Sequence, residues 1–206
     1  MDCPPHTGRR NPLQEEQRLH TRQAIMTAAL AAFGEHGFAA CSVEQILMRA
    51  GVSRAAFYAH FDSKLSLVCA IAEDFEPQWR PTFDHLSALE APTLDDLAAW
   101  ARIHLAFHRE HQLVCGLLSQ LVVLEDRLYW QVARQRDALI AMLGRAHPAF
   151  ARATQSPKAH LRAAMLLWSI DQTCFHVVRG RLPDPDDGAA GIIAAQLHAF
   201  LNETAG

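Results

Sequence analysis

Between Ser42 and Lys64 the chain starts, stops and restarts a helix in quick succession, and this punctuation constrains the fold more than any other stretch. Ser42 followed three residues later by Gln45 makes a capping box, in which each side chain satisfies a backbone N–H of the other residue, so a helix begins there. Ala50-Gly51-Val52 ends it, because glycine takes the left-handed conformation that a helix stop uses. Ser53 then caps a third helix from Arg54 to about His60, and Asp62 or Ser63 caps a fourth. A helix, a turn containing Gly51 and a second short helix predict a helix-turn-helix unit from Ile46 to Lys64. In such a unit the first helix braces the DNA backbone while the second lays its N-terminal residues in the major groove. Val52, Phe57 and Phe61 then face back toward the preceding helix, and Arg54, Ala55 and Ala56 point outward.

The helix they face runs from about Leu13 to His36, with Ile25, Ala28, Ala29, Ala32 and Phe33 recurring at helical spacing. Gly37 stands where a C-cap is wanted, and Phe38 folds back on the last turn. Downstream, Pro77 and Pro81 are expected to end the fourth helix. Thr93-Leu94-Asp95-Asp96 opens another that reaches about His111. A short apolar segment (113–124), a long helix (about 125–146), a helix from Ser156-Pro157 to near Gly180 and a last helix (about 186–202) follow. Strand-favouring stretches are scarce, and half the residues are apolar against a fifth charged, enough for a packed core. The predicted fold is all-α: a flexible basic arm over 1–12 carrying Arg9 and Arg10, a three-helix helix-turn-helix domain over 13–66, and a larger helical bundle over 67–206.

The sequence resembles the TetR family of bacterial regulators. The resemblance is carried by Ala28-Ala29-Leu30-Ala31-Ala32-Phe33, Gly37-Phe38 and Ser42-Val43-Glu44-Gln45-Ile46. It continues through Ala50-Gly51-Val52-Ser53-Arg54, Phe57-Tyr58-Ala59-His60-Phe61 and Ser63-Lys64. It implies a ligand-responsive transcriptional regulator whose partners are double-stranded operator DNA, a second copy of the chain and a small-molecule effector. Carried onto these positions, it implies that Tyr58 and Lys64 bind phosphates, that Ser42 and Gln45 clamp another, and that His60 lies near the DNA backbone. Ser53 and Ala55 complete the expected DNA-facing set, and Arg54 is the expected base reader, most naturally bidentate to guanine. Leu47, Cys41 and Ala55 depart from the family's usual small residue, threonine and glycine.

Charge gives modest support. The whole chain is at formal −3, yet residues 1–64 carry seven Lys and Arg against six Asp and Glu. The sign suits an N-terminal DNA reader. Five cysteines, at 3, 41, 69, 115 and 174, form no Cys-x-x-Cys pair and so read as neither a disulfide framework nor a zinc ribbon. No apolar run approaches a membrane span and the N-terminus lacks signal-peptide character, so a reduced, cytoplasmic protein is expected. No Gly-x-Ser-x-Gly elbow, Walker loop or His-Glu-x-x-His occurs, so an enzyme is not expected.

In the larger domain the resemblance implies a four-helix dimer interface made by the last two long helices. Ala163, Leu166, Ile170 and Cys174 of one and Ile193, Gln196, Leu197 and Phe200 of the other are the residues expected there. Repression from a palindromic operator, relieved by a small apolar or aromatic effector, is the expected mechanism, with the fourth helix carrying the signal. Trp100, His104, Phe107, His108, Trp130, Met165, Trp168 and Phe175 are the candidate pocket residues. His104, His108, His111 and Cys115 fall on one helical stripe, but that stripe spans about three turns and no acids gather along it. Polar lining rather than a metal is therefore expected, and no cofactor. The competing expectation is a helical small-molecule-binding dimer that ignores DNA.

Overall fold

The computed structural model describes residues 12–203; the expected arm lies outside the described residues except for Pro12, which opens the first helix. Eleven α-helices and no strand occur among the described residues, and the chain divides into two compact units, 1–67 and 68–206.

In the first unit α1 (Pro12–His36) supports α2 (Val43–Ala50) and α3 (Arg54–Tyr58). The apolar stripe read from the sequence is the buried face of α1, with Ile25, Ala29, Ala32 and Phe33 nearly or fully out of solvent. Ile46 of α2 and Phe57 of α3 are fully buried in the same unit, as is Phe61 just beyond. Both glycine stops behave as expected: Gly37 (φ 78°) and Gly51 (φ 65°) are left-handed, and the Gly51 N–H donates to Leu47 O. A Cβ on Gly51 would meet nothing within 4 Å, so the backbone angle alone selects glycine there. Phe38 does fold back, its ring centroid 5.4 Å from that of Phe33.

The helix α4 (Lys64–Asp74) is continuous across the division between the units. The second unit continues with α5 (Glu76–Ala88), α6 (Leu94–Glu110), α7 (Gln112–Leu121), α8 (Asp126–Leu143), α9 (Pro148–Ala153), α10 (Pro157–Val178) and α11 (Gly188–Leu201), the last preceded by a 3₁₀ turn at Pro185–Asp187. Its core is built on Leu86, Leu97, Trp100, Ile140, Leu143, Phe150, Ile170 and Ile193. The most extensive helix pair is α6 with α11, where buried Ala189, Ala190 and Ala194 permit close approach. Trp100 donates its indole N–H to Thr82 O at 2.8 Å, which satisfies the one polar atom of a fully buried ring.

Three boundaries differ from expectation. Pro77 does not end α4, which stops at Asp74; it sits in the first turn of α5, where a missing N–H costs no helical hydrogen bond. Pro81 lies inside α5, so the helix continues with one backbone rung lost. The short α9 falls between two expected helices, where no element was expected; its only sequence signal is Pro148 at the first helical position.

Candidate nucleic-acid interface and ligand cavity

The head presents its expected residues unevenly. Ser53 caps α3 by accepting from Ala56 N at 3.1 Å, and Phe57 and Phe61 anchor the helix from behind. Arg54, Ala55 and Tyr58 are left exposed. The Arg54 guanidinium lies 2.9 Å from Glu44 and 5.7 Å from the centre of the Tyr58 ring, so an acid and an aromatic face hold it in place. The Ser42–Gln45 box is closed in both directions: Gln45 N donates to Ser42 Oγ at 3.2 Å, and Ser42 N donates to Gln45 Oε1 at 2.7 Å. Closing it uses the acceptors of both side chains, so the Gln45 amide N–H₂ and the Ser42 O–H remain as donors. Burial first, then the charges of Arg18 and Arg22, push the half-buried His60 imidazole below its ordinary value.

Lys64 departs from expectation. Its ammonium turns back and donates to Phe38 O at 2.7 Å and Cys41 O at 2.5 Å, and it lies 4.8 Å from the centre of the Phe38 ring. Two of its three donors therefore hold the α1–α2 loop. The reason is local: that loop leaves carbonyls without helical partners, and the first turn of α4 brings a flexible cation within reach.

In the second unit a cavity of about 180 Å³ opens among α4 to α8 and α10. Phe75, Trp79, Phe83, Phe107, Tyr129 and Trp168 give it aromatic walls; His104, His108, Asp171 and Arg136 give it polar ones. The i,i+4 spacing puts His104 and His108 on one face of α6, where their rings meet edge to face at 4.8 Å. His104 also stacks on Trp100, with centroids 5.1 Å apart. From α10, Asp171 Oδ1 reaches His104 Nε2 at 3.2 Å and His108 Nε2 at 3.6 Å. Cys174, one turn further on, lies close enough that one donor atom from each of His104, His108 and Cys174 falls within 4.8 Å of the others. The Nδ1 atoms of both histidines and Nε of Arg136 are buried without a hydrogen-bond partner.

The electrostatics follow from this contact. Burial pushes the His104 imidazole down, further than Asp171 pulls it up. Asp171 keeps 55% of its side-chain surface open, yet its carboxylate lies against two imidazoles. Burial would raise it, but the hydrogen bonds and charge of His104 and His108 outweigh that and hold the carboxyl well below the usual range. Burial, with Asp171 nearby, pushes the Cys115 thiol up to about 12, and Cys174 is raised for the same reasons.

Of the eight candidate pocket residues, four line the cavity: His104, Phe107, His108 and Trp168. Trp100 lies in the core instead, Trp130 and Met165 point outward at 61% and 62% exposure, and Phe175 is buried beneath the Arg179 and Arg181 guanidinium groups. Trp130 fails because its neighbour Tyr129 takes the inward position, and adjacent residues on a helix point in different directions. Asp171 was missed although it is the one acid of α10, a signal open to reading. The expected interface set also needs correction: Ala163, Ile170, Cys174, Ile193 and Leu197 are core residues of the single chain. The side of α10 and α11 left exposed carries Leu161, Met165, Trp168, Ile192 and Gln196 instead, while Leu166 and Phe200 are half-buried. The alternating apolar sides of α10 concealed which one the chain itself covers.

Residues 25–71 match the family model described as bacterial regulatory proteins, tetR family. The chain is 43% identical over 51 residues to the HTH-type transcriptional regulator SrpR of Pseudomonas putida, a match covering 25% of this chain and 24% of that one. It is 30% identical over 107 residues to the probable acrEF/envCD operon repressor of Escherichia coli strain K12, covering 52% of this chain and 40% of that one. The matches thus span between a quarter and two-fifths of these curated relatives. A TetR-like transcriptional regulator from Rhodococcus sp. RHA1 shares the fold along 89% of this chain and 97% of its own, with TM-score 0.63 and 19% identity. No helix among the described residues is long and apolar enough to cross a membrane.

Proposed function

We propose that the protein is a ligand-responsive transcriptional regulator, since residues 25–71 match the TetR family model and the chain as a whole has a TetR-like fold. One observation carries this reading: α3 buries Phe57 completely while presenting Arg54, Ala55 and Tyr58 to solvent. A short helix anchored by an aromatic and small on its outer side can approach base edges closely. Arg54 reads a base, Tyr58 and the donors of the Ser42–Gln45 box grip phosphates, and Lys64 shapes the loop behind them. A cytoplasmic homodimer reads a palindromic operator, with half-sites about 34–36 Å apart or a multiple of that. The two copies meet through the exposed side of α10 and α11. The effector is small and mainly apolar or aromatic, occupies the cavity of the second unit and relieves repression. The signal runs along α4, whose Ala72 lines that cavity and whose Lys64 holds the α1–α2 loop. A ligand shifts such an equilibrium only through unequal affinity for its two states, typically by about 1–3 kcal/mol.

Selection of duplexes from a genomic pool by the purified protein tests this reading. The expected result is a palindromic site whose binding weakens with salt and with Arg54→Ala or Tyr58→Phe. A folded dimer that enriches no sequence would favour the alternative, a helical small-molecule binder without DNA recognition; the commitment of Lys64 to the loop carbonyls is the observation on that side.

A further inference from the structure

We propose that His104, His108, Asp171 and Cys174 form a binding site for a zinc-type divalent cation between the cavity and the core, holding α6 to α10. The donors come as two pairs, each one helical turn apart: His104 and His108 on α6, Asp171 and Cys174 on α10. Bonds of about 2.0–2.3 Å from nitrogen, oxygen and sulfur to a tetrahedral ion place neighbouring ligand atoms roughly 3.3–3.8 Å apart. Asp171 Oδ1 stands 3.2 and 3.6 Å from the two imidazole nitrogens, close to that edge length before any adjustment. One donor atom of each histidine and the Cys174 sulfur already lie within 4.8 Å of one another. Asp171 stands outside that trio, and the fourth ligand requires its half-open side chain to turn toward the sulfur.

The hydrogen-bond inventory points the same way. Both imidazoles turn Nε2 toward Asp171, and both Nδ1 atoms are buried without a hydrogen-bond partner, so nothing in the chain satisfies the far side of either ring. As a polar network it is incomplete; as a ligand set it lacks only a Lewis acid. Two imidazoles, a carboxylate and a sulfur suit Zn²⁺ and its borderline neighbours Co²⁺ and Ni²⁺, and do not suit Mg²⁺ or Ca²⁺. A bound cation also reverses the local charge logic, since a coordinating thiol is deprotonated outright. The half-open Asp171 side chain provides the entry path. The sequence led to the opposite expectation because acids were sought along the α6 stripe, whereas the fourth ligand comes from α10. The inference involves the second unit alone, and it stands or falls independently of DNA binding.

Titration of the full chain with Co²⁺, followed by absorption, tests it. The expected result is one equivalent bound with the visible bands of tetrahedral cobalt and a near-ultraviolet thiolate-to-metal band, both lost on adding Zn²⁺. Cys174→Ser should abolish the thiolate band. Asp171→Asn, at a half-exposed position that leaves the core packing intact, should weaken binding by more than the roughly 10- to 100-fold typical of outer-shell changes. His111→Asn and Cys115→Ser should leave both bands in place. No saturable one-equivalent binding in the wild type, a thiolate band that survives Cys174→Ser, or affinity unchanged in Asp171→Asn overturns the proposal. Circular dichroism of each variant checks folding, and the Asp171→Asn arm decides the matter if the cysteine variant does not fold.

Discussion

Lys64 shows how much a single cation can be asked to do. Its two hydrogen bonds to loop carbonyls are charge-assisted and half-buried. Lys64→Met should therefore cost about 1.5–3 kcal/mol of stability, read from the denaturant midpoint of the full chain. Were the residue only a phosphate contact, stability would not move and the salt slope of DNA binding would fall by about one. Arg54 has the opposite problem, since its ion pair with Glu44 competes with any base. That pair is exposed and contributes at most about 1 kcal/mol. Glu44→Gln should free the guanidinium and strengthen duplex binding several-fold; weaker binding in a fluorescence-anisotropy titration would show that Glu44 positions Arg54 rather than restrains it. The caps made by Ser42, Gln45 and Ser53 were legible because capping chemistry is local. The partner that Lys64 chooses was not, since Phe38 and Cys41 lie 26 and 23 residues away along the chain.

Helices were legible wherever caps and period agreed, and the two capping boxes are the clearest cases. At the start of α6, Thr93 and Asp96 close one on each other, and Thr93 also donates its hydroxyl to Asp96 at 2.6 Å. The Thr93 hydroxyl and then its backbone N–H hold the Asp96 carboxyl below its usual value. A depressed folded-state value means stabilisation that is present above the unfolded value and lost as pH falls through the folded one. Asp96→Asn should therefore flatten the acid limb of the stability curve while leaving little change in its shape between pH 6 and 8, roughly the plateau for carboxylates. An unchanged acid limb would show that the box does not couple to folding. Other junctions follow contacts that no local pattern encodes. Gly144 ends α8 with ordinary backbone angles, yet a Cβ there would sit 3.1 Å from Ala151 N and Cα of α9. Gly144→Ala should cost about 1–3 kcal/mol through overpacking, and a thermal melt without a downward shift would contradict it. That constraint, like the existence of α9, comes from how α8 and α9 approach each other.

At the scale of the molecule, the sequence does not reveal which side of an apolar helix ends up inside. On α10 Ala163, Ala164, Ile170 and Cys174 are buried, while Leu161, Met165 and Trp168 are exposed. Met165→Glu combined with Ile192→Glu should split the proposed dimer in sedimentation velocity without unfolding the chain, because neither residue belongs to its core. A dimer that survives the double substitution would place the interface elsewhere. Duplex binding should fall with the dimer, since a single head gives up the contribution of the second half-site. The four cysteines of the described residues supply a different kind of information. All are buried, Cys41 in one unit and Cys69, Cys115 and Cys174 in the other, with every thiol raised above its ordinary value. Alkylating reagents attack the thiolate, so each sulfur stays silent until its surroundings open. The chain thus carries four internal clocks, and pulse labelling read by mass spectrometry would time the opening of each unit separately, without a single engineered probe.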